Sequence, residues 1–160
     1  MDSRSASYED IDSCHSLLLL EMTEPYDNSL RIVLGETSLG DSQNLSVSGT
    51  DFVFEGVRPI EHREGDRTFA LTWPSYVAYA VSNESYALPV KAQEDVGKFL
   101  RRLQGSAFQR YISETTWWAA ETYGRQRHWI VGCEHHLIDI ISADDPKIEL
   151  LIGYVSSARS

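Results

Sequence analysis

Two alternating segments joined by one proline limit what this chain can fold into more than any other feature. Residues 67–73 place Phe69, Leu71 and Trp73 on one side and Thr68, Ala70 and Thr72 on the other. After Pro74, residues 76–82 set Tyr76, Ala78 and Ala80 against Val77, Tyr79 and Val81. Period-two alternation of aromatic and β-branched residues is the pattern of strands that bury one face. Further strand signals surround this pair. An apolar run over residues 16–22 stops at Glu24-Pro25, and Asp27-Asn28-Ser29 turns the chain into a second strand over 30–34. There Ile32 and Leu34 face one way and Arg31 and Val33 the other. Residues 35–49 read as a long loop with a short strand at 45–47. Residues 51–56 alternate through Phe52 and Phe54, and 57–61 carry Pro59, which suits an edge. Residues 127–133 and 136–141 read as two closing strands, and 147–153 as a short apolar tail that packs back.

Helical signals are few. Ser106 is a good N-cap, and Phe108, Tyr111, Ile112 and Thr115 share one face of a helix that ends in or soon after Trp117-Trp118. Residues 93–103 fit either pattern, but Gly97 weakens a helix, so a strand is expected. The sum is an α+β fold. It is a mainly antiparallel sheet of about seven to nine strands, because consecutive strands lack intervening helices, with one or two helices packed on it. The expected organisation is a flexible N-terminal segment over 1–14, one domain over 15–153 and a flexible tail over 154–160.

Charge narrows the partner classes. The chain has 160 residues and a net charge of −10, which argues against nucleic acid or an anionic membrane as the main partner. The imbalance is uneven: residues 1–90 hold 15 acids and 5 bases, whereas 91–127 hold 4 acids and 7 bases. Within the basic stretch, Lys98, Arg101, Arg102 and Arg110 interleave with Phe99, Phe108 and Tyr111. This patch either touches RNA or pairs with the protein's own acids, and the second is expected. Two cysteines, Cys14 and Cys133, make no disulfide framework. The N-terminus lacks a basic segment followed by an apolar one, and Leu17-Leu18-Leu19-Leu20 is too short to span a bilayer. A cytoplasmic location with reduced thiols is expected.

Chemistry-bearing residues concentrate near the C-terminus, where His128, Cys133, His135 and His136 lie within nine residues. On a strand, His128 and Glu134 share one face while Cys133 and His135 share the other, so potential ligands point apart. No HExxH, CxxC, P-loop or GxSxG pattern is present. A Cys–His nucleophilic pair would need spatial adjacency and an activating environment. No catalytic residue, metal ligand or cofactor is therefore assigned.

Four stretches carry a resemblance. Asn28-Ser29-Leu30-Arg31-Ile32-Val33-Leu34, the run from Tyr79 through Asn83-Glu84-Ser85-Tyr86, Gly105-Ser106-Ala107-Phe108, and His136-Leu137-Ile138-Asp139-Ile140 closing at Pro146 resemble small bacterial single-domain proteins of toxin–immunity neighbourhoods. The resemblance covers roughly residues 15–150. It implies a strand over 97–103 and a helix after Ser106, and it transfers no catalytic residue.

The reading that charge and size favour is an acidic domain that binds a basic protein, such as an immunity protein neutralising a nuclease-like toxin. Its expected footprint is Glu9, Asp10, Asp12, Glu21, Glu24, Asp27, Asp41, Asp51, Glu55 and Glu84, with Trp118 as an aromatic anchor. The alternatives are a metal-dependent or thiol enzyme using residues 128–139, and a structural subunit that self-associates through an edge strand or an exposed Trp.

Overall fold

The alternating segments become neighbours in the chain but members of different sheets. In the computed structural model, which describes residues 2–118 and 124–154, strand β8 (Thr68–Trp73) ends at Pro74 and Ser75, and strand β9 (Tyr76–Asn83) begins the second sheet. Proline has no N–H to give a ladder, so it ends one strand cleanly where the chain crosses over.

The first sheet has the order β1-β14-β8-β3-β2. Its strands besides β8 are β1 (Ser3–Ser5), β2 (Leu17–Thr23), β3 (Leu30–Glu36) and β14 (Lys147–Leu151). The second has the order β10-β11-β12-β13-β9. Its remaining strands are β10 (Glu94–Val96), β11 (Leu100–Gln104), β12 (Arg127–Cys133) and β13 (His136–Ser142). Two small two-stranded sheets complete the set. They are β4 (Ser38–Leu39) with β7 (Ile60–Glu61), and β5 (Gln43–Ser46) with β6 (Val53–Val57). Every described ladder is antiparallel. Fourteen strands are described, more than the seven to nine expected: β1, β4 and β10 form in polar segments, and β14 forms in the segment expected as an apolar tail.

The two large sheets pack face to face around one core. The first contributes Leu30, Ile32, Leu34, Phe69, Leu71, Trp73 and Ile148, and the second contributes Leu100, Trp129, Val131, Cys133, Ile138 and Ile140. These are the alternate positions of each strand, as a pleated sheet requires. On the outer face of the first sheet, Val33 and Ala70 are also buried, under Leu20, Leu151 and Tyr154.

Helix α1 (Tyr8–Asp12) closes one side of the sandwich. Ser7 caps it in a reciprocal capping box with Asp10, Ile11 is fully buried, and Tyr8 stacks on Trp129 at 5.7 Å. The N-terminal segment, expected to be flexible over 1–14, is thus ordered by two devices: Ile11 enters the core, and β1 pairs with β14. Asp12 fastens the helix to the second sheet, accepting from the backbone N–H groups of Lys98 at 3.0 Å and Phe99 at 2.9 Å. Elsewhere between the sheets, Glu134 N–H donates to Leu17 O, and Glu24 accepts from the hydroxyls of Tyr76 and Tyr79.

Residues 93–103 are a hairpin rather than one strand. Gly97 lies in the turn at a φ of +112°, where a Cβ would stand 2.2 Å from Leu100 O, so only glycine fits. Helix α2 (Ala107–Thr115) follows the N-cap Ser106 as expected, and stops at Thr116, just before the tryptophan pair. It lies over the outer face of the second sheet, where Leu103, Ile112, Ile130 and Ile141 are buried. Tyr154 packs against the first sheet, and the rest of the expected tail lies outside the described residues.

Ile138 sits at the centre of the shared core with no exposed surface. Ile138→Ala is expected to lower the unfolding free energy by about 2–5 kcal/mol, read from urea unfolding. A loss under about 1 kcal/mol would mean that the two sheets do not share a tightly packed core.

Candidate functional site

The most exposed part of the described chain is the arm formed by β5, β6 and their turn. Every residue from Asp41 to Gly56 is exposed, and the hairpin shares a ladder with no other described strand. Its turn is internally organised: Val47 and Phe52 bond through their backbones, and Thr50 accepts from Phe52 N–H. Leu45, Val53, Phe54 and Phe52 nonetheless present apolar surface to solvent, Phe52 at 67% exposure, and the two phenylalanine rings lie 5.8 Å apart. Asp41, Asp51 and Glu55 stand among them. Apolar side chains outside a core, rimmed by like charges, are the composition of a recognition surface.

The expected acidic footprint divides into three groups. Asp41, Asp51 and Glu55 lie together on the arm, whereas Glu9, Asp27 and Glu84 are exposed at separate turns and ends. The others are bonded to groups of the molecule itself, Asp10 and Glu24 while still exposed. Asp10 closes the α1 capping box, Asp12 holds the start of β11, Glu21 pairs with Arg31 at 3.0 Å, and Glu24 receives two tyrosine hydroxyls. Trp118 is half-buried, and its Nε1 donates to Gly124 O at 2.8 Å. Asp10, Asp12, Glu21 and Glu24 therefore act first on the fold.

The histidine-rich stretch resolves into separate roles. His135, at a φ of +69°, forms with Glu134 the two-residue turn between β12 and β13. His136 Nδ1 lies 3.3 Å from Glu134 O. His128 is fully buried under α2, with Nδ1 2.7 Å from Ser106 Oγ and Nε2 2.8 Å from Asp139 Oδ1. With the Asp139 carboxylate accepting, Nε2 carries the ring proton and Nδ1 accepts from the Ser106 hydroxyl. Ser106 Oγ in turn accepts from Gln109 N–H at 3.0 Å. The order of groups is that of a hydrolase relay, but the serine oxygen caps α2 and the residue is 1% exposed. A nucleophile must meet its substrate, so this chain serves as a structural tie between helix and sheet. His128 and Asp139 were each visible in the sequence, but their meeting depends on the β12–β13 register, which pairs Ile130 with Asp139 and His128 with Ile141.

Neither thiol is placed for nucleophilic chemistry. Cys133 lies in the core, on the face opposite His128, and burial pushes its pKa up to about 12, with the nearby Glu134 charge adding to the rise. Burial likewise raises Cys14 to about 11, and the Glu36 charge adds to this more than Arg67 offsets. Thiols in such surroundings stay protonated and inert. Among the described residues, no group of three or more His, Cys, Asp and Glu is arranged to hold a metal ion.

A second surface runs along α2. A cleft of about 720 Å³ is lined by Ser106, Gln109, Arg110, Trp117, Arg125 and Gln126, among others. Gly105, Ser106 and Gln126 carried no functional signal as isolated residues, and it is the packing of α2 on the sheet that assembles them. Comparison with known proteins brings no match: no family model, no curated protein and no solved structure matches the chain. No described helix is long and apolar enough to cross a membrane.

Both cysteines are expected to resist a thiol-specific chromogenic reagent at neutral pH in the native protein, and both to react once urea unfolds it. Rapid labelling of Cys133 before unfolding would place it outside the core. A second expectation concerns acid. Arg67 donates to both Glu36 oxygens, at 2.7 and 2.8 Å, and these hydrogen bonds hold the Glu36 carboxyl below its usual pKa of 4.5. A carboxyl depressed in the folded state stabilises it fully above the ordinary value and loses that effect as pH falls through the folded value. Unfolding midpoints should therefore drop below about pH 4.5, and Glu36→Gln should flatten that drop while lowering stability at pH 7. An unchanged acid profile in Glu36→Gln would show that the pair contributes nothing.

Proposed function

We propose that this protein is an acidic protein-binding domain that captures a basic protein through the β5–β6 arm. The observation that carries this reading is the arm itself, sixteen consecutive exposed residues that hold two phenylalanines and three of the expected footprint acids. The physical roles divide naturally. Phe52 and Phe54 supply apolar area that gains from leaving water. Asp41, Asp51 and Glu55 steer and orient a cationic partner, and a total charge of −10 extends that attraction beyond contact distance. An exposed hairpin also offers backbone groups for pairing with a partner strand.

The resemblance to proteins of toxin–immunity neighbourhoods supports a specific form of this reading, an immunity protein acting in the cytoplasm on a basic, nuclease-like toxin. A footprint on an arm suits an inhibitor, since blocking an active site requires a projecting surface and no chemistry. The enzyme alternative is weakened by protonated thiols and by the enclosure of His128.

Affinity capture from the native host tests the reading, with wild type compared against Phe52→Ala/Phe54→Ala at low and high salt. Wild type should retain a basic protein that high salt releases, because exposed charge pairs are screened. The double variant should lose it while its unfolding midpoint stays within about 0.5 kcal/mol of wild type, as for exposed sites generally. If the captured protein is a nuclease, equimolar addition should stop its cleavage of nucleic acid. Equal capture by wild type and double variant would remove the arm from the interface. A concentration-dependent dimer lost in the same variant would favour self-association instead.

A further inference from the structure

We propose that the free edge of β9 pairs with the same edge of a second copy of this chain, joining two second sheets into one across a two-fold axis. Each large sheet ends in two edge strands. An edge left open invites pairing unless it is short, charged, bulged or covered. The other edges have such features. Strand β1 has three residues and includes Arg4, and β10 has three residues, of which Glu94 and Asp95 are acids. Strand β2 carries Glu21 and a bulge, and Leu18 bridges to Glu134 of the other sheet. Strand β9 differs: it runs for eight residues without a charged side chain, and its irregularity is confined to its start, opposite Ile141 and Ser142.

The ladder register shows which backbone groups point outward. Asn83 lies opposite His136, and the next residue, Glu84, donates its N–H to His135 O at 3.3 Å. Bonded and non-bonded pairs alternate in an antiparallel ladder. Ser82, Ala80 and Ala78 therefore bond to β13, while the N–H and C=O of Val81 and Tyr79 face away from it. No further described strand pairs with β9, and no described loop backbone bonds to Val81 or Tyr79. Val81 is 48% exposed although Ile138 opposite it is fully buried, so the facing sheet does not reach this edge.

Charge and pattern select a second copy as the occupant. Two chains of charge −10 repel each other, so contact between them requires a surface without acids. From Tyr76 to Val90 the only charged residue is Glu84, and Tyr86 and Leu88 extend the exposed apolar surface beyond the strand. The sequence of β9 also complements its own reverse. With Ala80 on the axis, Tyr79 of each copy meets Val81 of the other and exchanges both backbone hydrogen bonds with it. An aromatic ring against a β-branched side chain is a favourable cross-strand pair. On the other face Ala78 meets Ser82, and these small side chains oppose no charge. Glu24 already holds the Tyr79 hydroxyl, so the ring is in place before the copies meet. Such a contact is isologous and closes as a dimer.

Sedimentation equilibrium of the full chain tests this. Pairing of one short edge buries less than a standard interface, so the dimer should form across about 1–100 µM. Added salt should strengthen it by screening the repulsion between copies, the reverse of the response expected at the arm. Val81→Lys should weaken it about tenfold or more. Val81→Pro removes an outward N–H, spares the bonds to β13, and should do the same. Ala80→Cys should give a disulfide-linked dimer under mild oxidation, because Cα atoms of a directly opposed non-bonded pair lie about 4.5 Å apart. Phe52→Ala/Phe54→Ala should dimerise as wild type does, and Val81→Lys should still capture the basic protein, so the two surfaces fail separately. Should Val81→Pro not fold, Val81→Lys and Ala80→Cys decide. A monomer throughout this range would overturn the proposal. So would a dimer indifferent to Val81→Lys, a dimer lost in the arm variant, or a β9 edge that pairs only with a strand of another protein.

Discussion

The burial of alternate side chains from two sheets against each other is the constraint on which the rest of the structure depends. Each strand of a two-layer sandwich has one face committed to the shared core and one left over. Leu30, Ile32 and Leu34 take the inner face of β3, which sends Val33 outward, where Leu20 and Tyr154 cover it. Trp129, Val131 and Cys133 take the inner face of β12, which sends His128 and Ile130 outward, where α2 must cover them. The helix is thus needed because the sheet behind it is apolar on both sides. Its position, in turn, creates the cleft along its start.

The imidazole of His128 is a polar intrusion that this arrangement must answer. A fully buried ring with two nitrogens is expensive unless both are bonded. Asp139 on the neighbouring strand and Ser106 at the helix cap satisfy one nitrogen each. The bonds do more than compensate. They fix the ring's tautomer, and they set the N-cap of α2 at one point over the sheet. The helix can shift only by breaking bonds in a low-dielectric setting, where unpaired polar groups are most unfavourable. The walls of the cleft inherit that fixed placement.

Most of the sheet framework was legible in the chain because alternation reports directly on burial. The segments at 67–73, 76–82, 127–133 and 136–141 all become strands, and Ser106 caps the helix expected after it. What was not legible followed from contacts distant in sequence. Nothing in residues 1–14 announced that Ile11 would join the sandwich core, or that Asp12 would hold the start of β11 through backbone groups 86 and 87 positions away. The acidic residues illustrate the same limit. Charge counts could say that acids were in excess, but not that Asp12 would accept from backbone N–H groups and Glu24 from tyrosine hydroxyls while Asp41, Asp51 and Glu55 remained on the arm. Phe52 and Phe54 alternated as core residues would, and only the absence of a covering layer distinguishes them from Phe69.

Charge segregation connects the two surfaces. The arm from β4 to β7 carries Asp41, Asp51, Glu55 and Glu61 against Arg58 alone, whereas Arg110 and Arg125 line the α2 cleft. In a chain of strongly negative total charge, uncompensated arginines lower the self-repulsion of the folded state wherever they stand. Scattering them among the acids would achieve that equally well. Both instead line one cleft with Gln126, whose Nε2 has no hydrogen-bond partner among the described residues. The same chain therefore keeps an acid-rich arm apart from the arginines that line the α2 cleft.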